Sequence, residues 1–177
     1  MAKHKYSLWF MPAGTVAQRF SQIIVQLAKD HASPIFSPHV TLLGSIEASQ
    51  EEVINRTQEL AALLRPFLVP LTTITFTDAY YRALFVKAGH STEALAAYEL
   101  ARKLFPGDQQ TAYMPHLSLL YGDFSVAIKQ EIIKEIGENF PDAFEANTLY
   151  LYLTEGAAHN WQSIRAFPLE GPTTKTK

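Results

Sequence analysis

Two short segments of this chain repeat each other almost letter for letter, and this repeat limits the possible fold more than any other feature. Residues 38–44 read Pro-His-Val-Thr-Leu-Leu-Gly, and residues 115–122 read Pro-His-Leu-Ser-Leu-Leu-Tyr-Gly. The motif histidines, His39 and His116, are 77 positions apart, which is too far for a local repeat. The segments therefore indicate a duplicated structural unit that brings its two copies together in space.

The spacing within each segment predicts which side chains act together. Successive side chains of an extended strand point to opposite faces, so His39 and Thr41 should share a face, as should His116 and Ser118. Two such strands at one cleft would supply two imidazoles and two hydroxyls. Those groups can move protons and hold an anion, and neither task requires a cofactor.

Only the surroundings of His39 and His116 distinguish them from the other histidines. Four of the six histidines have Ser or Thr two positions later, so that spacing alone is uninformative. At 39 and 116, however, a proline precedes the histidine, an apolar residue separates it from the hydroxyl, and leucines follow. Proline suits the first residue of a strand because it lacks a backbone donor. We expect the remaining histidines to be structural or solvent-exposed: His4, His31, His90 and His159.

Composition excludes several classes of function. The chain has 177 residues and a formal net charge of −2, without the basic excess typical of proteins that grip long nucleic acids. It has no cysteine, which excludes disulfides and thiolate metal sites. No secretion signal is recognised at the start, and no apolar run approaches the roughly 20 residues of a membrane span. We expect a cytoplasmic monomer that binds neither membranes nor long nucleic acid.

Hydrophobic periodicity predicts strand, helix, strand, helix, strand, and then the same order again. One helix start carries a capping box, with Ser49 at the cap and Glu52 three residues later. The predicted strands cover residues 6–11, 38–46, 68–77, 83–86, 115–121, 148–154 and 161–168, and the predicted helices begin near 16, 50, 94 and 128.

A shift of 77 residues maps the first series of elements onto the second. We therefore predict an α+β fold of two β-α-β-α-β lobes, related by an approximate twofold axis, with antiparallel-type sheets that face a central cleft. The predicted organisation is a single bilobal domain over residues 1–170. Lobe one spans about 5–78, lobe two spans about 80–168, and residues 171–177 form a disordered tail.

The paired motifs and the early Tyr-Ser-Leu-Trp strand resemble the 2H phosphoesterases, and most of all their cyclic phosphodiesterase branch, over about residues 5–168. The resemblance implies metal-free opening of a nucleoside 2′,3′-cyclic phosphate or of ADP-ribose 1″,2″-cyclic phosphate to a phosphomonoester. The resemblance leaves an alternative open: the chain could be a relative that processes RNA ends, or a 2′-5′ phosphodiesterase or ligase. The implied partner is a small cyclic-phosphate nucleotide, with no cofactor and no metal.

Carried over by position, the resemblance also implies roles for individual residues. His39 and His116 would be catalytic, and Thr41 and Ser118 would bind phosphate. Trp9 and Tyr121 fall where the branch has aromatic groove residues, and we expect Tyr121 at an exposed rim because its strand ends there. The disulfides of plant members cannot form in this chain.

The residues themselves leave three interpretations open. One histidine could act as base and the other as acid in hydrolysis, although the sequence does not tell which is which. Alternatively, the two histidines could bind a metal, but a third protein ligand is not evident. A non-catalytic RNA-binding module would use Trp9 and Tyr121 to stack bases and would leave the histidines idle.

Two charged residues, Lys5 and Arg82, are equivalent under the shift. They are either phosphate-attracting groups or solvated strand-end charges.

Overall fold

The computed structural model describes residues 2–107 and 112–171. The predicted order of elements is confirmed, and one short strand and two single-turn 3₁₀ segments, Tyr80–Arg82 and Ala158–Asn160, are added. The helices are α1 (Gly14–His31), α2 (Gln50–Leu63), α3 (Thr92–Leu104) and α4 (Val126–Ile136). The strands are β1 (His4–Phe10), β2 (Val40–Ala48), β3 (Phe67–Phe76), β4 (Leu84–Ala88), β5 (His116–Leu120), β6 (Ala143–Ala146), β7 (Thr148–Leu153) and β8 (Gln162–Pro168).

A serine forms the N-cap of three of the four helices. The hydroxyls at the N-caps of α2, α3 and α4 accept hydrogen bonds from backbone N–H groups three residues later. The capping box predicted at α2 is half formed: Ser49 Oγ accepts from the Glu52 N–H, whereas the Glu52 carboxylate pairs with Arg56 at 2.9 Å. Each cap satisfies a backbone donor that the first helical turn leaves free, which is worth about 1 kcal/mol.

The strands form one antiparallel sheet in the order β6-β3-β4-β5-β2-β1-β7-β8. Its centre is the contact between β2 and β5, where Val40 pairs with Leu117. These two residues are themselves 77 positions apart, so the pseudo-twofold axis passes between them. Because His39 and His116 immediately precede this pair, the duplication brings the two motif histidines to the middle of the sheet.

Each half of the sheet mixes strands from both sequence repeats. The third strand of the first repeat, β3, pairs with β4, and its counterpart in the second repeat, β7, pairs with β1. The halves in space therefore differ from the predicted lobes at 5–78 and 80–168. This exchange of third strands is a long-range pairing choice, which local periodicity does not encode.

One face of the sheet packs against the helices and the other lines a cleft. Along β1, Tyr6, Leu8 and Phe10 are buried in the main core, together with Phe20 of α1 and Leu60 of α2. The alternate β1 residues line the cleft. Residues of both repeats belong to this one core cluster, so the two halves stabilise each other through shared apolar burial.

The chain continues to pack against α2 after β8. The Gly171 N–H donates to the Leu64 carbonyl at 2.7 Å, and Gly171 is buried rather than part of a disordered tail. The rest of the predicted tail, residues 172–177, lies outside the described residues. Within the described ranges, no helix combines the length and apolar character that crossing a membrane requires.

Candidate active site

The two motifs meet in a single cleft of about 620 Å³ at the centre of the sheet. His39, Thr41, His116 and Ser118 all line this cleft, as the alternation of side chains predicts. His116 is the first residue of β5, whereas His39 lies one residue before β2 begins. The structure therefore brings together the two imidazoles and two hydroxyls that the repeat suggested.

Both histidines are held by the same backbone interaction. Nδ1 of His39 lies 2.7 Å from the Ser37 carbonyl oxygen, and Nδ1 of His116 lies 2.8 Å from the Met114 carbonyl oxygen. A carbonyl oxygen only accepts hydrogen bonds, so each Nδ1 carries a hydrogen and donates. Each Nε2 is thereby left for the cleft, as an acceptor when the ring is neutral and as a donor when it is protonated.

His39 lies deep in an aromatic environment. Only 6% of its surface is exposed, and its ring stacks on Trp9 with centroids 3.7 Å apart and planes 14° from parallel. Burial lowers the pKa of His39 to about 4, and the nearby His116 adds to this effect, while the hydrogen bond to the Ser37 carbonyl opposes it. The ring is therefore neutral near pH 7 in the unliganded protein.

His116 is less enclosed than His39. It is half-buried, and Phe85 of β4 meets its ring edge-on, with centroids 5.0 Å apart. Burial lowers the pKa of His116 from its ordinary value of 6.5; the Met114 carbonyl opposes the shift and the positive charge of Arg82 reinforces it. Arg82 also lines the cleft. An anion bound between these groups would favour the protonated ring, because a nearby negative charge raises a histidine pKa.

The two motif hydroxyls differ in how they are bound. Ser118 Oγ donates to the Tyr81 carbonyl at 3.1 Å, and Ser118 is buried. Thr41 is half-buried, and its hydroxyl makes no hydrogen bond to the residues that the structure describes. Thr41 can therefore donate directly to an anion in the cleft, whereas Ser118 must first release the Tyr81 carbonyl.

The two predicted aromatic groove residues line the cleft but are buried. Trp9 is 3% exposed and lies between His39 and Tyr152, whose ring centroid is 4.0 Å away. Tyr121 is also 3% exposed and stacks on Phe36 at 3.7 Å. The prediction of an exposed rim position for Tyr121 is wrong. The chain turns back at Gly122, whose N–H donates to the Tyr80 carbonyl, and this turn packs the tyrosine under the 80–82 segment.

Three aromatic residues of the site were missed in the sequence. Phe36 packs under Tyr121, while Tyr81 and Trp161 approach each other across the cleft with ring centroids 5.8 Å apart. Tyr81 is 48% exposed, and the buried Trp161 Nε1 has no hydrogen-bond partner among the described residues. One signal was available: an aromatic residue precedes each motif histidine by three positions, Phe36 and Tyr113. Tyr81 lies in a single-turn 3₁₀ segment and Trp161 directly precedes β8, and no local pattern brings these two residues to the cleft.

A buried lysine fixes the segment that carries Tyr81 and Arg82. Lys129 of α4 is 1% exposed, and its ammonium donates to the Thr77 carbonyl and to the Asp78 carboxylate, both at 2.9 Å. The Thr77 hydroxyl in turn donates to the Arg82 carbonyl at 2.8 Å. Because both ends of the segment are tied, the carbonyl that binds Ser118 is held in place.

The metal interpretation lacks a ligand set in the part of the chain that the structure describes. Across residues 2–107 and 112–171, no three His, Cys, Asp or Glu side chains come close enough together to hold a metal ion. Lys5 and Arg82, which the sequence left as either solvated charges or phosphate-attracting groups, both line the cleft. These two side chains therefore bring positive charge to the cleft.

Comparison with known proteins identifies the family. The model of the cyclic phosphodiesterase-like protein family matches residues 5–172. A cyclic phosphodiesterase of Arabidopsis thaliana is 26% identical over 123 residues, which cover 70% of this chain and 68% of that protein.

Solved structures agree on the fold. The Escherichia coli LigT complex with 3′-AMP has a TM-score of 0.67 and 14% identity, covering 94% of this chain and 98% of LigT. The protein TT0787 of Thermus thermophilus has a TM-score of 0.65 and 16% identity, with the same coverages. The predicted duplicated fold is confirmed. The chain belongs to the cyclic phosphodiesterase-like proteins, a branch of the 2H phosphoesterases, and is a phosphodiesterase enzyme.

Proposed function

We propose that this enzyme opens a cyclic phosphodiester on a small nucleotide by acid–base catalysis with His39 and His116. The candidate substrates are a nucleoside 2′,3′-cyclic phosphate and ADP-ribose 1″,2″-cyclic phosphate. The observation that carries the proposal is the matched anchoring of the two imidazoles. Each donates from Nδ1 to the carbonyl two residues earlier, and each lies in the cleft beside the Val40–Leu117 axis.

The unequal surroundings of the histidines suggest unequal roles. His39, with its pKa lowered to about 4, is the base that takes a proton from water at Nε2. The water oxygen attacks phosphorus, and the bond from phosphorus to one ribose oxygen breaks. His116, which is more exposed, is the acid that delivers a proton from Nε2 to that departing oxygen. The product is a phosphomonoester, and the two protons balance.

Substrate charge supplies the protonation state that this scheme requires. Without ligand, burial keeps both rings mainly neutral at pH 7. A phosphodiester brings one negative charge into the cleft, which raises the pKa of the nearest imidazole. His116 takes up the proton because its charged ring would be less desolvated than that of the more deeply buried His39.

The hydroxyls stabilise charge on the nonbridging phosphate oxygens. Thr41 donates without breaking an existing hydrogen bond, and Ser118 can exchange the Tyr81 carbonyl for phosphate. Donors that are already oriented cost little reorganisation as charge builds in the transition state. The burial of Trp9 and Tyr121 disfavours the alternative of a non-catalytic RNA-binding module, because base stacking needs exposed ring faces.

One assay tests this proposal. Purified protein is incubated with both candidate substrates in excess chelator, and the phosphomonoester is measured. We expect hydrolysis at an undiminished rate, because the chemistry uses side chains alone. Loss of all activity in chelator, restored by one divalent ion, would overturn the mechanism in favour of a metal enzyme. The His39→Ala variant serves as the control for contaminating phosphodiesterases.

A further inference from the structure

A row of polar side chains extends from the catalytic centre along one half of the cleft. Alternate residues of β1 face the cleft: Trp9 supports His39, Ser7 follows, and Lys5 lies at the end. Ser7 is 8% exposed, and its Oγ lies 3.0 Å from Oγ1 of Thr154, which also lines the cleft. One hydrogen is shared between these two hydroxyls, so one O–H donor remains for a ligand.

Gly44 keeps this row continuous with the catalytic centre. A Cβ placed at position 44 would lie 3.7 Å from Ser7 Oγ and 3.8 Å from Thr41 Cγ2. The space above Gly44 therefore connects Thr41, the proposed phosphate donor, with the Ser7–Thr154 pair. A ligand bound at Thr41 can therefore extend along the cleft to the pair.

The duplication does not require the hydroxyl pair, because the other half of the cleft also has a lining cation, Arg82, but no counterpart of Ser7. In the strand pairing, Trp9 lies opposite Thr41, and Phe85 lies opposite Ser118, so Phe85 corresponds to Trp9. Two residues earlier, β1 has Ser7 whereas the segment before β4 has the buried Ala83. The hydroxyl pair is therefore a specialised feature of one half and not a by-product of the repeat.

Lys5 supplies a positive charge that is available to a ligand. Its ammonium is 4.0 Å from a Glu47 carboxylate oxygen, with the two side chains 60% and 64% exposed. Such an exposed pair at this distance is weak and screened by water. The second nearby carboxylate, Glu155, accepts hydrogen bonds from His4 and from the Lys5 backbone N–H. The Lys5 side chain can thus turn toward an anion at small cost.

We propose that Lys5, Ser7 and Thr154 form a second subsite, which binds a further phosphoryl group on the sugar that carries the cyclic phosphate. The inference rests on the proposed function and refines its substrate class. It favours sugars with a 5-position phosphate or diphosphate, such as ADP-ribose 1″,2″-cyclic phosphate, over unphosphorylated nucleoside 2′,3′-cyclic phosphates. An ammonium and a hydroxyl are the donors that such a phosphate needs.

The test compares adenosine 2′,3′-cyclic phosphate with and without a 5′-phosphate. We expect kcat/KM to be about tenfold higher with the 5′-phosphate, as for the gain of a charge-assisted hydrogen bond, and mainly through KM. In Lys5→Met and in Ser7→Ala this ratio should fall to about one. Lys3→Met is the matched control, since it removes the same charge from an exposed residue outside the cleft, and it should keep the ratio.

Measured affinities test the subsite independently of turnover. The affinities of adenosine 2′-phosphate and adenosine 2′,5′-bisphosphate are compared by calorimetry for the parent and for Lys5→Met. Equal affinities in the parent, or a preference that survives Lys5→Met, would overturn the subsite even if hydrolysis proceeds as proposed. Conversely, failure to hydrolyse either substrate would overturn the proposed function alone, while the calorimetry would still decide the subsite.

Discussion

The two motif regions share their backbone anchoring but differ in almost everything around it. Each histidine donates from Nδ1 to the carbonyl two residues before it, at 2.7 and 2.8 Å. Around His39, however, an indole stacks flat against the ring, and the motif hydroxyl of Thr41 makes no hydrogen bond to the described residues. Around His116, a phenyl ring meets the imidazole edge-on, and the motif hydroxyl of Ser118 is tied to a carbonyl.

The comparison separates the features that a duplicated site must keep from those that can change. Both copies must present Nε2 to the same phosphate, so the anchoring that fixes the tautomer is the same in both. The surroundings set the pKa and the water access of each ring, and these can diverge toward base and acid. The pseudo-symmetric sheet therefore positions the groups, while neighbouring aromatic rings and charges distinguish them.

Removing either imidazole should have the largest effect. His39→Ala and His116→Ala should each reduce kcat by at least about 10²-fold, the low end for a positioned acid or base. The double variant should lose much less than the product of the two, because the histidines act as one unit. Steady-state kinetics in chelator, with circular dichroism to confirm folding, provide the measurement. Parent-like turnover by two folded single variants would contradict the assignment of both motifs.

Removing a motif hydroxyl should reduce activity less than removing a histidine, and the two hydroxyls should differ in their effect on stability. Thr41→Ala should lower kcat by up to about 10²-fold with little change in melting temperature, since it removes a free donor to the transition state. Ser118→Ala should also lower the melting temperature, because it leaves the Tyr81 carbonyl without its partner. Kinetics and thermal melting of both variants are compared. Equal losses of stability in the two would remove the distinction drawn between the hydroxyls.

Replacing the aromatic rings that contact the two histidines should have a smaller effect on activity. Trp9→Leu should reduce kcat/KM by up to about tenfold, because the stacking that orients His39 is worth about 1 kcal/mol. Phe85→Leu, the matched change beneath His116, should cost less, since the edge-on contact at 5.0 Å is looser. The two variants are compared with one substrate at one pH. A greater loss in Phe85→Leu would reverse the proposed ranking of the two environments.

The pH optimum should differ between kcat/KM and kcat. The base must be neutral and the acid protonated, so kcat/KM should follow a bell bounded by two apparent pKa values of the coupled pair. Burial lowers the pKa of both free-enzyme histidines below 6.5, so the kcat/KM optimum should lie on the acid side of that value. The bell for kcat should lie at higher pH, because bound phosphate raises both pKa values. A flat kcat profile, measured where chemistry limits the rate, would argue against two titrating histidines.

The sequence predicted the parts of the fold that repeat locally. The helices, most of the strands and the meeting of the two motifs could be predicted. Hydrophobic periodicity and N-cap residues are local signals, and the 77-residue shift relates the two copies directly. The strand β6 was missed: its alternation covers only Ala143–Ala146, and its pairing with β3 is long-range. The exchange of third strands between the sheet halves was missed for the same reason.

In the site, the sequence predicted which side chains meet but not how they are surrounded. His39, Thr41, His116 and Ser118 share the cleft because strand alternation dictates it. The burial of Tyr121 depends on Phe36 and on the turn at Gly122, which are contacts between distant segments. The difference between the two histidines likewise comes from tertiary neighbours. The repeated sequence motif therefore suggested a more symmetric site than the structure has.

Changing the leaving atom tests the division of roles most directly. Cyclic phosphates with sulfur in place of the 2′ or the 3′ ribose oxygen are supplied to the parent, His39→Ala and His116→Ala. A thiolate leaves without being protonated, because a thiol is far more acidic than a sugar hydroxyl. With the sulfur at the leaving position, we expect His116→Ala to recover most of its lost rate and His39→Ala to stay impaired. Recovery of His39→Ala instead, or of neither variant, would contradict the assignment of His39 as base and His116 as acid.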